Sequence, residues 1–242
     1  MSYNRSIKMY DEPHAPIALD QMTSAKTINK GKFLSPAHSE SYLLQMQTIK
    51  ALKGVETILE VGPGEGYAAR NLRDVGYGYD TLDFEDAHQP TIKADFRSLD
   101  PNSIDKRYDL TCAFQVLEHF PYGDFTRLLK TLCVLSTNYV FISLPFSCKG
   151  FSLKLNLQNG QQRRRIKQFD FYVPTNLPNR RYREEYMREF PWAVHFWEIG
   201  RKGYPLKKVV RDIESCGLDV ERRFHSPNSF HYFILCRKRT AG

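Results

Sequence analysis

Cysteine is scarce in this chain: five residues in 242, at Cys112, Cys133, Cys148, Cys216 and Cys236. The number is odd, the spacing is scattered and no Cys-x-x-Cys occurs. That excludes a disulfide framework and a zinc ribbon, and points to a reducing compartment. Long apolar runs are missing too, as is the charged-then-apolar pattern of a secretory leader. The expectation is a soluble, cytoplasmic chain with no membrane span. No internal repeat or low-complexity tract occurs, which excludes solenoids and arrays. Acidic residues are in deficit, 27 against 35 Lys and Arg, for a net charge of +8. The deficit is local. Residues 1–146 hold 15 basic and 18 acidic residues, and residues 147–242 hold 20 and 9. A basic second half suits an anionic substrate, nucleic acid or an acidic surface, and equally a merely solvated face.

What is present begins with glycine. Ile58-Leu59-Glu60-Val61 is a short apolar run, followed at once by Gly62, Gly64 and Gly66 at alternate positions. The spacing predicts a buried strand, a tight loop, and a helix over Ala68 to Arg73. Glycine lets such a loop turn sharply and lets a ligand approach bare backbone, with the amides of the next helix facing it. A dinucleotide site wants Gly-x-Gly-x-x-Gly. Here Tyr67 occupies the third glycine's place, which argues against a pyrophosphate ligand. The next expected strand, Tyr79 to Phe84, carries Asp83 near its end, 21 residues beyond Gly62. A carboxylate there can accept both hydroxyls of a ribose. Glycine loop and ribose acid without a phosphate clamp suit a nucleoside that lacks phosphates.

The stretch Glu60-Val61-Gly62-Pro63-Gly64-Glu65-Gly66, with Asp83 after it, resembles the first motifs of the class I S-adenosylmethionine-dependent methyltransferases. That resemblance implies an α/β fold: a Rossmann-like, doubly wound, seven-stranded sheet, mostly parallel, with a C-terminal antiparallel strand pair. It implies S-adenosylmethionine as cofactor, held by Glu60, Gly62, Gly64, Gly66, Asp83 and Phe84. It also implies a carboxylate for the adenine amino group at Asp95, a ring-packing neighbour at Phe96, and a cofactor contact at Gln115. The segment Gln115-Val116-Leu117-Glu118-His119 resembles the fourth-strand motif of methyltransferases that act on small molecules. Active sites in open sheets lie beyond the carboxyl ends of the strands, where this segment sits.

The remaining chain fits that order. Residues 1–34 read as an irregular arm or lid, and residues 35–242 as the methyltransferase domain. Ser35-Pro36 opens a helix with an apolar face at Leu43, Met46, Ile49 and Leu52, closed by Gly54. Asp124 is a candidate cap for a helix whose Phe125, Leu128, Leu129, Leu132 and Leu135 are core. Asn138 to Pro145 is a strand stopped by proline. Leu206 to Ile213 is a helix ending at Gly217, and Leu218 to Phe224 and Phe230 to Cys236 are closing strands. An insertion of about 146–204 holds Arg163, Arg164, Arg165, Arg180, Arg181 and Arg183. It also holds both tryptophans of the chain, Trp192 and Trp197. A connection this long more often carries function than not, and it is expected to bind the substrate through Arg163, Arg164, Arg165, Arg181, Trp192 and Trp197.

Methyl transfer to oxygen needs an aligned acceptor and, for an alcohol or phenol, a base. His119 and His195 are the candidates, each with a plain structural reading beside it. A metal reading also stands. Ubiquinone-pathway and small-RNA 2′-O-methyltransferases, which this chain resembles at Glu118-His119, hold a divalent ion with two glutamates three residues apart and histidines. Gln115 occupies the first glutamate's position here, so a metal is not favoured, though Glu118, His119 and His195 could supply three ligands. Three classes stay open. The leading one is an O-methyltransferase for a polar or anionic small molecule or saccharide intermediate. The others are a nucleic-acid methyltransferase and a non-catalytic S-adenosylmethionine-binding partner. Oligomeric state is not legible.

Overall fold

The computed structural model describes residues 35–157, 165–190, 193–226 and 230–239. The arm expected over residues 1–34 lies outside them, as do Arg163, Arg164 and Trp192. The first helix, α1 (Pro36–Ala51), starts where Ser35 accepts a bond from the His38 amide and proline takes the first turn. Its buried stripe is more polar than the expected one. Ile49 is fully buried, but Leu43 is half exposed, and Ser41, Gln45 and Thr48 are buried instead. The reason is a polar neighbour: the Ser41 hydroxyl bonds His231 at 2.5 Å.

The main sheet is laid down by β1 (Thr57–Val61), β2 (Gly78–Asp83), β3 (Ile92–Lys93), β4 (Tyr108–Phe114) and β5 (Ser136–Pro145). The helices α2 (Tyr67–Asp74) and α3 (Phe125–Leu135) connect β1 to β2 and β4 to β5. Beyond β5 come β6 (Cys148–Leu157), β7 (Arg165–Pro174), α4 (Glu184–Glu189), α5 (Leu206–Glu214), β8 (Leu218–His225) and β9 (His231–Lys238). The seven strands stand in the order β3-β2-β1-β4-β5-β9-β8, while β6 and β7 form a separate two-stranded sheet. The first five pair in parallel, and β9 runs antiparallel to both β5 and β8. The doubly wound, mostly parallel sheet with its closing antiparallel pair is therefore the observed fold.

Both faces of the sheet are covered, which is why its central strands read as continuous apolar runs. Leu59, Val61, Ala113, Ile142 and Ile234 face one core cluster; Ile58, Leu110, Cys112, Phe141 and Phe233 face the other. The α3 stripe Phe125, Leu128, Leu129, Leu132 and Leu135 is wholly buried. At roughly 1.5–3 kcal/mol per side chain it is a large share of the hydrophobic stabilisation. Asp124 precedes α3 but makes no side-chain cap; its carboxylate pairs with Arg127 at 2.8 Å instead. The strand order reverses between β1 and β4, so the segments leaving their carboxyl ends splay apart and leave a crevice.

Candidate functional site

The loop after β1 is built from left-handed turns. Gly62, Gly64 and Gly66 all have positive φ, between 54° and 65°. Gly62 is constrained twice, because a Cβ there would also lie 2.7 Å from Val116 Cγ2. That contact packs the glycine loop directly against the segment that leaves β4. Tyr67, the first residue of α2, stacks on Tyr42 of α1 with ring centroids 5.0 Å apart. Burial, with help from Glu65 and Glu60, pushes the Tyr42 phenol up to about 12.

The expected cofactor acids sit as follows. Glu60 is buried in β1 and accepts a bond from the Tyr79 hydroxyl at 3.0 Å. Burial raises its pKa to about 7, against smaller lowering effects from Tyr79 and Arg73. Asp83, at the end of β2, accepts from the Glu85 amide at 3.0 Å and from His88 Nδ1 at 2.9 Å. His88, which the sequence reading passed over, has its pKa raised by that bond, and its Nε2 is buried without a partner among the described residues. Phe84 is half-buried beside it. The Asp95 carboxylate accepts from the Arg97 amide and guanidinium at 2.9 and 3.2 Å. Phe96, the expected ring-packing neighbour, is 4% exposed and belongs to the core cluster.

The candidate bases come together beyond β4. Gln115, with φ of +56°, ties its amide to the Ser143 carbonyl and its side chain to the Ser143 hydroxyl. A 3₁₀ turn over Leu117–His119 follows. The distant segment 194–199 is drawn alongside by main-chain bonds. The Phe196 amide donates to the Glu118 carbonyl and the Ile199 amide to the Pro145 carbonyl. His119 and His195 then meet edge to face with centroids 5.1 Å apart. One ligand-capable atom from each of Glu118, His119 and His195 lies within 4.8 Å of the others.

Hydrogen bonding engages Nδ1 of both rings. His119 Nδ1 lies 2.8 Å from the Val194 carbonyl, which can only accept, so Nδ1 carries the proton. Burial, and then His195, lowers the His119 pKa to about 4. His195 Nδ1 lies 3.0 Å from Glu198 Oε1. Glu198 is buried yet held to about 2, because bonds from His195, Ser147 and Arg201 outweigh the opposing effect of burial, with Arg180 adding charge. His195 Nε2 is left as the open nitrogen, while His119 has a second backbone contact, with Gln115, that favours its protonated form. Glu118 is the opposite case: fully buried, with no partner on either oxygen among the described residues, its pKa is raised to about 8 by burial.

Of the expected acceptor contacts, Trp197 is corrected. It is fully buried, donates its indole N–H to the Phe120 carbonyl, and packs against Tyr122 and Phe125. An aromatic of that size at a segment junction fills core. Arg181 is exposed, Arg180 pairs with Glu198 at 3.2 Å, and Arg165 opens β7. Glu198, with Ser147 and Arg201 behind it, is a site residue the sequence reading missed. Its spacing of three from His195 was the available signal.

A methyltransferase-domain family matches residues 34–194. The chain belongs to that family. Among solved structures it is similar to magnesium protoporphyrin IX methyltransferase from Synechocystis with bound S-adenosylmethionine. The two share a TM-score of 0.51 and 13% identity over 84% of this chain and 80% of that one. It is also similar to the glycopeptide N-methyltransferase MtfA complexed with S-adenosylmethionine, at a TM-score of 0.52 and 12% identity, over 82% and 94%. A third likeness is to CcbJ from Streptomyces caelestis, at 0.51 and 13%, over 85% and 91%. At such identities the likeness shows the fold. No curated protein matches the sequence. The family makes this chain a methyltransferase. No helix among its described residues is long and apolar enough to cross a membrane.

Proposed function

We propose that this methyltransferase transfers its methyl group to a hydroxyl oxygen of a polar, anionic small molecule or saccharide, with His195 as the base. The carrying observation is the pairing of His195 Nδ1 with the ionised, buried Glu198, which points Nε2 out as a proton acceptor. The glycine loop and Asp83 hold the cofactor, and packing of Gly62 on Val116 sets it next to the base. As the acceptor oxygen attacks the methyl carbon, a C–O bond forms and the C–S bond breaks. The electron pair goes to sulfur, leaving S-adenosylhomocysteine, and the hydroxyl proton passes to His195 Nε2. Glu198 then stabilises the imidazolium. Arg180 on Glu198, with Arg181 exposed beside it, gives the acceptor side its positive charge.

The unpartnered oxygens of Glu118 favour a second reading of the same cluster. A buried carboxyl without a hydrogen bond is costly, and a divalent cation held by Glu118, His119 and His195 would remove that cost. The donor set fits: two imidazoles with Nδ1 held by a carbonyl and a carboxylate, plus one carboxylate. When bound, such an ion lowers the pKa of a coordinated hydroxyl. The two readings compete for His195 Nε2, so one experiment separates them. Purified chain is given labelled S-adenosylmethionine and fractionated cell extract, with and without chelator. The base reading expects label in a small anionic fraction, indifference to chelator, and a loss of roughly 10²–10⁴ in rate for His195→Ala with cofactor affinity kept. Chelator-abolished activity restored by added divalent cation replaces it with the metal reading. Label confined to a nuclease-sensitive fraction overturns the acceptor class.

A further inference from the structure

The β6–β7 hairpin stands apart from the main sheet and is two-faced. Its register sets Phe151 opposite Phe171 and Leu153 opposite Phe169, with Val173 two residues further along β7. Alternation in a strand puts all five side chains on one face. Phe151 is 66% exposed, Phe169 and Phe171 57%, Leu153 and Val173 50%. The other face is anchored. Tyr172 crosses its register partner Gly150, where a Cβ would lie 2.7 Å from the ring, and stacks on His225 of β8 at 3.8 Å. So the apolar face is turned out because the opposite face is the one docked on the domain.

The sequence segment that carries this face is one-sided in charge. Residues 146–183 carry nine Lys and Arg and a single acid, Asp170. That +8 equals the net charge of the whole chain, and the rest of the sequence holds 26 residues of each sign. An exposed apolar patch on so basic a segment marks an interaction surface. We infer that the β6–β7 hairpin docks this methyltransferase onto an anionic lipid surface, with Phe151, Leu153, Phe169, Phe171 and Val173 entering the headgroup–acyl boundary, Lys149 opposite Val173 on the same face, and the net positive charge of the segment supplying the attraction.

Charge complementarity selects that occupant. A second copy would bring +8 against +8, whereas an anionic leaflet attracts each basic residue near it. Single-stranded nucleic acid would meet the charge, but it stacks on flat aromatic faces. Here two of the five exposed residues are aliphatic, and Phe151 and Phe171 pack on each other at 5.8 Å. Peripheral binding of this kind needs no spanning helix.

The test is flotation of the full chain with two vesicle preparations, phosphatidylcholine alone and an equal mixture of phosphatidylcholine and phosphatidylglycerol. The expected result is flotation with the anionic vesicles only, weakened by added salt. The triple variant Phe151→Ser, Phe169→Ser, Phe171→Ser is expected to partition roughly 10²-fold less, about half of full burial being lost per ring. Calorimetry with S-adenosylmethionine must give that variant wild-type affinity. If it does not, the single change Phe169→Ser carries the test, with a loss of roughly fivefold. The inference is overturned if wild-type chain does not float with anionic vesicles or the variant floats equally. It is also overturned if light scattering shows a wild-type dimer that the variant dissolves, or if the phenylalanines matter only for binding single-stranded RNA.

Discussion

Replacing Glu60 by glutamine should make the protein more stable at neutral pH, by an amount that depends on pH in a defined way. Glu60 is 4% exposed, and burial raises its carboxyl to about 7 from an ordinary 4.5. A carboxyl whose folded pKa is raised binds a proton on folding. Its contribution is fully present below about pH 4.5 and is lost as pH rises, at about 1.4 kcal/mol per pH unit, until the folded pKa is passed. At pH 7 the wild-type chain has therefore given up about 3 kcal/mol. Glutamine keeps an acceptor for the Tyr79 hydroxyl, now 3.0 Å from the carboxylate. It also brings two N–H donors where the neutral acid brings one, and an unmade donor takes back about 1 kcal/mol. The net gain is about 2 kcal/mol at pH 7, or a melting temperature higher by roughly 5 °C in a domain of this size. Urea unfolding of both proteins at pH 5, 6, 7 and 8 measures it. The two stabilities should nearly coincide at pH 5, diverge through pH 7 and then run parallel. Curves that stay parallel across the whole range would refute the argument, because only ionisation of a buried acid produces the divergence.

Glu198 should behave with the opposite sign. Its folded pKa is held to about 2, so its contribution of about 3 kcal/mol is present above pH 4.5 and lost as pH falls towards 2. Glu198→Gln should thus unfold at lower urea at pH 7, and the deficit should shrink on acidification. Asp83→Ala should weaken S-adenosylmethionine binding tenfold or more in calorimetry, since hydrogen bonds to a charged group are worth roughly 1.5–3 kcal/mol. It should also release His88, whose proton affinity depends on Asp83, and a two-dimensional NMR titration would show that imidazole titrating at lower pH. Gly62→Ala should abolish cofactor binding and lower stability. It combines the left-handed strain of about 1–2 kcal/mol with a 2.7 Å contact on Val116, and a variant with wild-type affinity would show that the loop can shift.

The order of elements in the main sheet was legible in the residues, because it rests on local patterns, whereas β6, β7 and α4 within the insertion were not read. Apolar runs broken by Gly62, Pro145 and Gly217 gave the strand and helix limits to within a few residues, as at β2, which closes at Asp83 one residue before the expected end. The α3 stripe needed only helical spacing to be read as core. Glycine at three alternate positions after a strand specified the loop, since backbone at positive φ excludes most other residues.

Partners distant in sequence were beyond that reach. His119 and His195 were each legible as candidate bases, but their meeting depends on segment 194–199 lying along the end of β5, through the Phe146–Ile199 bridge and the Glu118 carbonyl. Trp197 and Phe96 looked like contact aromatics because residue type says nothing about the direction a ring takes. Only packing against Tyr122 and Phe125 in one case, and the core cluster in the other, turned them inward. The same holds for charge. The sequence alone determined that Glu118 and Glu198 are acids near a candidate base. Burial without partners raised one to about 8, and three hydrogen bonds with a nearby arginine lowered the other to about 2. Desolvation and hydrogen bonding are properties of the folded surroundings, so they were decided only when the chain closed on itself.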